Sequence, residues 1–170
     1  MDKALILLAI QGALGAWDTL YYHEWRLKLP SQPHAKLELI LHASRDFAYA
    51  LLFGSIGWVT WNGTFAWAFL GLLLLEIIIT LWDFLEEDRT RKLPPGERVG
   101  HAVMGIVYGL FLAYLFPEVW RWTSLPTGVV RVDHGPIALL LSIMAAGVLS
   151  SGIRDLTSAL RLKPRQGHTS

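Results

Sequence analysis

The chain contains no cysteine. That excludes disulfides, thiolate metal sites and cysteine nucleophiles together, and leaves any metal chemistry to histidine and carboxylate side chains. Charge is also scarce. Asp, Glu, Lys and Arg make up 17% of the 170 residues against 53% hydrophobic, and the net charge is +1. No basic run with interleaved aromatics occurs, which excludes nucleic acid as a partner. Sustained two-residue alternation is missing too, and the apolar runs are too long for strands. What is present instead is a mean hydropathy of +0.39 and eight tryptophans. Such a composition is too apolar for an ordinary soluble domain and predicts an all-α integral membrane protein anchored at two lipid interfaces.

Five apolar segments follow one another. The first spans residues 4–25. Its small residues Gly12 to Ala16 have the look of a signal-peptide cleavage region, but Trp17-Asp18 belongs to a repeat described below, so the segment is read as a helix of the bundle. The second runs from about 36 to 60 and stops at the Trp61-Asn62-Gly63-Thr64 turn signal. A third, 65–87, is broken by Pro94-Pro95-Gly96. The fourth ends at Phe116, before Pro117. A loop over 117–135 leads to the fifth, 136–154. Each is about as long as the roughly 20 residues a bilayer requires at 1.5 Å rise per residue. The expected division is a five-helix transmembrane domain over 1–156 and a basic tail over 157–170.

The basic residues are unevenly spread. Arg26, Lys28 and Lys36 lie in the first connection, Arg89, Arg91, Lys92 and Arg98 in the third, and Arg154, Arg161, Lys163 and Arg165 after the fifth segment. In a five-span chain all three regions fall on one face. The positive-inside rule makes that face cytoplasmic and puts the N-terminus outside, in an inner or plasma membrane.

The stretch from Trp82 to Tyr108 has a counterpart upstream. Trp17-Asp18-x-Leu20 matches Trp82-Asp83-x-Leu85, Leu29-Pro30 matches Leu93-Pro94, and Glu38-x-x-x-His42-Ala43 matches Glu97-x-x-x-His101-Ala102; Tyr49-x-Leu51 matches Tyr108-x-Leu110. We read two duplicated helical hairpins, over residues 4–60 and 65–116, forming a four-helix bundle with a fifth helix added. Residues four apart share a helix face, so Glu38 lies beside His42 and Glu97 beside His101. With each turn at its midpoint, Asp18 faces His42 and Asp83 faces His101. Superposed about a pseudo-twofold axis, the halves supply six metal ligands: Asp18, Glu38, His42, Asp83, Glu97 and His101. His23, Glu24 and Glu87 are further candidate ligands, and Asp83 has Arg91 within range as a pairing partner.

Glu76 stands apart. Apolar or small residues precede it in the third segment, so it lies near mid-membrane, with Gln11 as its repeat counterpart. An ionised carboxylate at that depth costs at least about 2.5 kcal/mol. Glu76 is therefore read as a protonated group held by a polar neighbour, and as a residue of a proton path or substrate cavity. Glu87, on the same face, is its partner in moving protons. Tyr49 and Tyr108 point the same way from beyond each histidine.

In architecture the set resembles the ferritin-like di-iron carboxylate bundles, in which acids from two helices join a Glu-x-x-His from each of two others. The resemblance covers the first four helices. Its spacing is one residue longer here, and the acids of the first and third helices are Asp. It implies two divalent metal ions, iron in the first place, with zinc and manganese also suited to mixed oxygen and nitrogen ligands. The expected function is a membrane-embedded di-metal oxidoreductase acting on an apolar, lipid-like or isoprenoid substrate, with an electron donor as partner. A zinc-dependent lipid hydrolase would use the same residues. A non-enzymatic membrane subunit or carrier would instead use the acids as an ion path.

Overall fold

In the computed structural model residues 1–162 are described, so Lys163, Arg165 and His168 of the expected tail lie outside the described residues. Five helices dominate: α1 (Asp2–Asp18), α2 (Lys36–Ile56), α3 (Thr64–Thr90), α4 (Pro95–Thr123) and α5 (Pro136–Arg161). α1 runs on without a break into a π-helical stretch, Thr19–Arg26, and two short 3-10 turns, Leu29–Ser31 and Pro33–Ala35, lead to α2.

Two helix ends and one connection differ from expectation. α4 passes through Pro117 and ends only at Thr123. Proline forfeits one backbone bond there, but Val119 and Trp122 beyond it are buried in the main core, and that burial keeps the helix going; a helix among apolar neighbours tolerates such an interruption. α5 continues to Arg161 because Ala159 closes a small apolar cluster with Leu29, Ala35 and Leu39, so residues 157–161 are helix and not tail. Two four-residue strands also form: β1 (Val59–Asn62) pairs antiparallel with β2 (Gly128–Arg131), Val59 opposite Arg131. The β-branched Val59, Thr60, Val129 and Val130 favour this, and Gly63, at φ +60°, turns the chain from β1 into α3.

The first hairpin is not closed in the expected way, whereas α3 and α4 of the second do pack on each other. α1 packs chiefly on α4, and α2 on α3 and most extensively on α5. The 17-residue stretch from Thr19 to Ala35 is long enough to let α2 leave α1 and settle between α3 and α5.

Along the bundle axis the interior is layered. At the end capped by the β-pair, Leu5 and Leu8 of α1, Phe53 and Ile56 of α2, Phe69 of α3, Phe111 and Trp122 of α4, and Leu141 of α5 form an apolar core. At the other end lie most of the buried charges. The outside is the reverse of a soluble protein: Ile6, Trp17, Leu74, Ile78, Leu85, Val99, Ile106, Ile143 and Ile153 are all at least half exposed, a belt far beyond ordinary surface apolarity. Four helical stretches are long and apolar enough to cross a membrane: Asp2–Arg26, Thr64–Thr90, Pro95–Thr123 and Pro136–Arg161. α2, expected as a fifth, is not among them. Its 21 residues carry Lys36, Glu38, Arg45 and Asp46, and it brings its charges inward.

Candidate metal centre

Local structure supplies the acids and imidazoles in pairs. Glu38 and His42 begin α2, Asp83 and Glu87 end α3, and Glu97 and His101 begin α4, each pair four residues apart on one face. Pro94 and Pro95 fix where α4 starts, with Pro95 in the first turn that proline suits. α1 does it differently. Asp18 is its last α-helical residue, and the π register that follows closes each turn over more residues, ending with the Leu27 amide donating to the Tyr22 carbonyl at 2.9 Å. In an α-helix a residue five positions on points elsewhere; with i→i+5 bonding, His23 comes round beneath Asp18. α5 contributes Asp155. Gly152, one turn earlier, lets α5 approach α2 closely, since a Cβ there would stand 3.0 Å from that of Asp46 and 3.2 Å from the Ala43 carbonyl oxygen.

These side chains meet in one buried layer. Ligand atoms of Asp18, His23, Glu97 and His101 all lie within 4.8 Å of one another, and so do those of His23, His42 and Glu87. His23 is common to both groups. Its Nε2 is 3.4 Å from Asp18 Oδ2 and 3.5 Å from Glu97 Oε1, and its Nδ1 is 3.1 Å from His42 Nδ1, the two rings stacked at 4.3 Å. His101 spans from Asp18 (3.4 Å) to Glu87 (3.5 Å) and stacks on Phe84. His42 is 3.0 Å from Asp83 and 3.8 Å from Asp155. Buried His, Asp and Glu in this arrangement could hold a metal ion.

Two guanidiniums belong to the same layer. Arg91, in the link between α3 and α4, donates to Glu38 at 2.9 Å, Glu97 at 2.7 Å and Glu87 at 3.4 Å. Burial opposes its charge, but the hydrogen bonds to Glu97 and Glu38 outweigh burial and push its pKa above the ordinary arginine value. Arg45 donates to Asp83 at 3.0 Å and lies 3.2 Å from His42 Nε2. Among the described residues, His23 Nε2, Asp83 Oδ1 and Glu87 Oε2 are buried with no hydrogen-bond partner, a costly state for polar atoms.

The six expected ligands thus occupy one layer, but not in equal roles. Asp18, Glu97 and His101 share a group with His23, and His42 shares one with His23 and Glu87; Glu38 and Asp83 belong to neither and are engaged by Arg91 and Arg45. The facing pairs are exchanged relative to expectation. Asp18 faces His101 and Asp83 faces His42, because α1 neighbours α4 and α2 neighbours α3. Glu87, expected to move protons and also named as a further candidate ligand, sits among the ligand atoms. Glu76 lies two turns of α3 away from Asp83. It is buried and accepts a 2.8 Å hydrogen bond from Thr80 of its own helix.

Asp155 escaped the sequence argument, although Arg154-Asp155 is a charged pair in an apolar segment at the end where the other acids gather. The central place of His23 had a sharper signal. The two copies are offset by 65 at Asp18 and Asp83 but by 64 at Leu29 and Leu93, so the first copy holds one extra residue between them, and the π-helical stretch falls there.

A cavity of about 630 Å³ begins at this layer and runs along the bundle. Asp18, His101, Arg45 and Asp46 line one end; Phe53, Met144, Ile77 and Met104 line the rest with small residues of α1 and α5. No known protein family, curated protein or solved structure matches the chain.

Proposed function

We propose that the chain is a membrane-embedded dinuclear metal protein, an oxidoreductase that acts on an apolar substrate held in the cavity beside the metal layer. The observation that carries this is an imbalance of buried charge. Asp18, Glu38, Asp83, Glu87, Glu97 and Asp155 are all at most 8% exposed, and the guanidiniums of Arg45 and Arg91 face them. Arg154 is shared between Asp155 and Glu24. With neutral imidazoles and all six carboxyls ionised, four negative charges are left, a burden that far exceeds what a protein interior sustains unpaired. Two divalent cations remove it.

The first ion would be held by Asp18, His23, Glu97 and His101. The second would be held by His42, Glu87 and the other ring nitrogen of His23, with Asp83 and Glu38 adjacent. Both are oxygen and nitrogen sets of the kind that iron accepts, with manganese and zinc as chemical competitors. An iron pair would supply the oxidising chemistry. Around it this chain's residues have their own tasks. Arg45 and Arg91 orient Asp83, Glu38 and Glu97. Glu87, with one oxygen unpartnered, takes up or releases a proton next to His101. The apolar cavity wall excludes water and admits a lipid-like molecule. The duplication explains the pairing: Asp83, Glu87, Glu38 and His42 of one set correspond to Asp18, His23, Glu97 and His101 of the other.

Elemental analysis of the full chain purified in detergent tests this directly. About two equivalents of iron per chain, with reductant-dependent dioxygen uptake on adding a hydrocarbon substrate, is the expected result. Zinc in the same amount transfers the site to lipid hydrolysis, and folded protein that binds no divalent metal ends the proposal in favour of a non-enzymatic subunit. The membrane placement has its own test. The basic connections put the metal layer at the cytoplasmic face, so a reporter fused at Arg91 should read cytoplasm and one inserted at Pro126 should read outside. The opposite pattern reverses the orientation.

A further inference from the structure

The metal layer accounts for one end of the cavity. Its wall also holds a second polar group, two turns deeper, with no part in ligation. Gln11 of α1, Tyr49 of α2, Glu76 of α3 and Tyr108 of α4 all line the cavity. The two tyrosine rings meet edge to face at 6.2 Å. Glu76 is 3% exposed, and Thr80 satisfies only one of its oxygens. Among the described residues, Glu76 Oε2, Gln11 Oε1 and the Tyr108 hydroxyl have no hydrogen-bond partner. Three polar atoms without a hydrogen-bond partner, from three helices on one cavity wall, are expensive to maintain, while the tyrosine rings themselves pack on the main core.

We infer that Glu76, Gln11 and Tyr108 anchor the hydroxyl group of a long-chain or isoprenoid alcohol, whose hydrocarbon chain fills the cavity toward the metal layer. The inference rests on the reading of this cavity as the substrate chamber. A hydroxyl both donates and accepts. It can donate to Gln11 Oε1 or Glu76 and accept from Tyr108 at once. A carbonyl only accepts and leaves Gln11 Oε1 orphaned. A phosphate or carboxylate headgroup would bring charge to a carboxyl in an apolar chamber. Between the anchor and the metal layer the wall is largely apolar, with Met104, Ile77, Leu81 and Val148; of its hydroxyls, those of Thr80 and Ser150 are already engaged and that of Ser151 is unpartnered. Glu76 and Asp83 are seven residues apart on α3, about 10 Å at 1.5 Å per residue. The anchor therefore fixes which carbon of the chain lies against Asp18 and His101: one remote from the hydroxyl, not the carbinol carbon itself.

The test uses the full chain in lipid nanodiscs, as purified and after chelation of divalent metals. Two photoreactive probes are compared: a dodecanol carrying a mid-chain diazirine, and the dodecane of the same design without the hydroxyl. Labelled residues are located by mass spectrometry, with metal content measured in parallel. The alcohol should label residues around Met104 and Val148, and free dodecanol should compete about tenfold better than dodecane. Tyr108→Phe and, separately, Glu76→Leu should each cut that preference about fivefold while leaving labelling by the hydrocarbon probe unchanged. Retained hydrocarbon labelling shows that the cavity is intact in each variant. Equal competition by dodecanol and dodecane, or a preference that survives both substitutions, overturns the anchor. Because chelated protein is included, an alcohol preference in metal-free protein supports the anchor even if the metal reading fails, and metal binding without the preference removes the anchor alone.

Discussion

Purified His23→Ala protein should lose both metal ions. His23 is the one side chain common to the two ligand groups, so its removal subtracts a nitrogen from each. Loss of a residue that merely orients a ligand already costs 10–100-fold in affinity; loss of a shared ligand should leave less than about a tenth of the parent's metal after dialysis. His101→Ala and His42→Ala form the comparison. Each belongs to one group, and each should retain about one ion per chain. His134 lies at the other end of the bundle, 3.6 Å from Asp2, and His134→Ala should keep the full complement. Metal per folded chain is the measurement, with helicity checked by circular dichroism. A His23→Ala protein that is folded and fully loaded would sink the shared-ligand arrangement, and with it the assignment of two adjacent ions.

The second large effect concerns Arg91. Its guanidinium touches three buried carboxylates, Glu38, Glu97 and Glu87. Removing one partner from a buried ion pair strands the other and costs about 3–5 kcal/mol. Arg91→Leu should therefore destabilise metal-free protein by about that amount, seen as a lower midpoint in a denaturant or thermal titration. The same substitution should cost much less in protein saturated with divalent metal, because ions that bind only the folded chain add stability by mass action and neutralise the same carboxylates. Arg91→Lys keeps the charge but not the forked geometry that serves several carboxylates at once, and should fall between. Equal destabilisation with and without metal would show that Arg91 and the cations do not share these acids.

Most of the helices were legible as apolar runs with punctuation, and their starts fall within two residues of expectation because glycine, proline and charge mark them. The ends were less legible where burial overrode a local signal, as at Pro117, where Trp122 lies beyond the proline and is only 1% exposed. For the candidate site, the repeated Asp and Glu-x-x-x-His pattern picked out residues that the fold brings into one layer. Which histidine each aspartate faces was not legible, since helix neighbours depend on how far the first connection lets α2 travel. The role of Arg91 was half visible: it was read as a partner of Asp83, whereas the extended link after α3 aims it at Glu38 and Glu97. Asp155 was invisible to a repeat argument because α5 has no copy.

The position of α2 has a consequence for how the chain is made. Synthesis runs from the N-terminus, so α2 leaves the ribosome before α3, which supplies Asp83 to its Arg45, and well before α5, against which it packs most. About 80 residues separate the end of α2 from the start of α5, which at about 5–20 residues per second is roughly 4–16 s. Early in that interval Arg45 lacks Asp83 and Glu38 lacks Arg91, and until its end the face of α2 that packs on α5 has no partner; a helix so charged does not partition into hydrocarbon by itself. The second helix must wait at the aqueous edge or inside the insertion machinery, entering as a late wedge once its partners are in place.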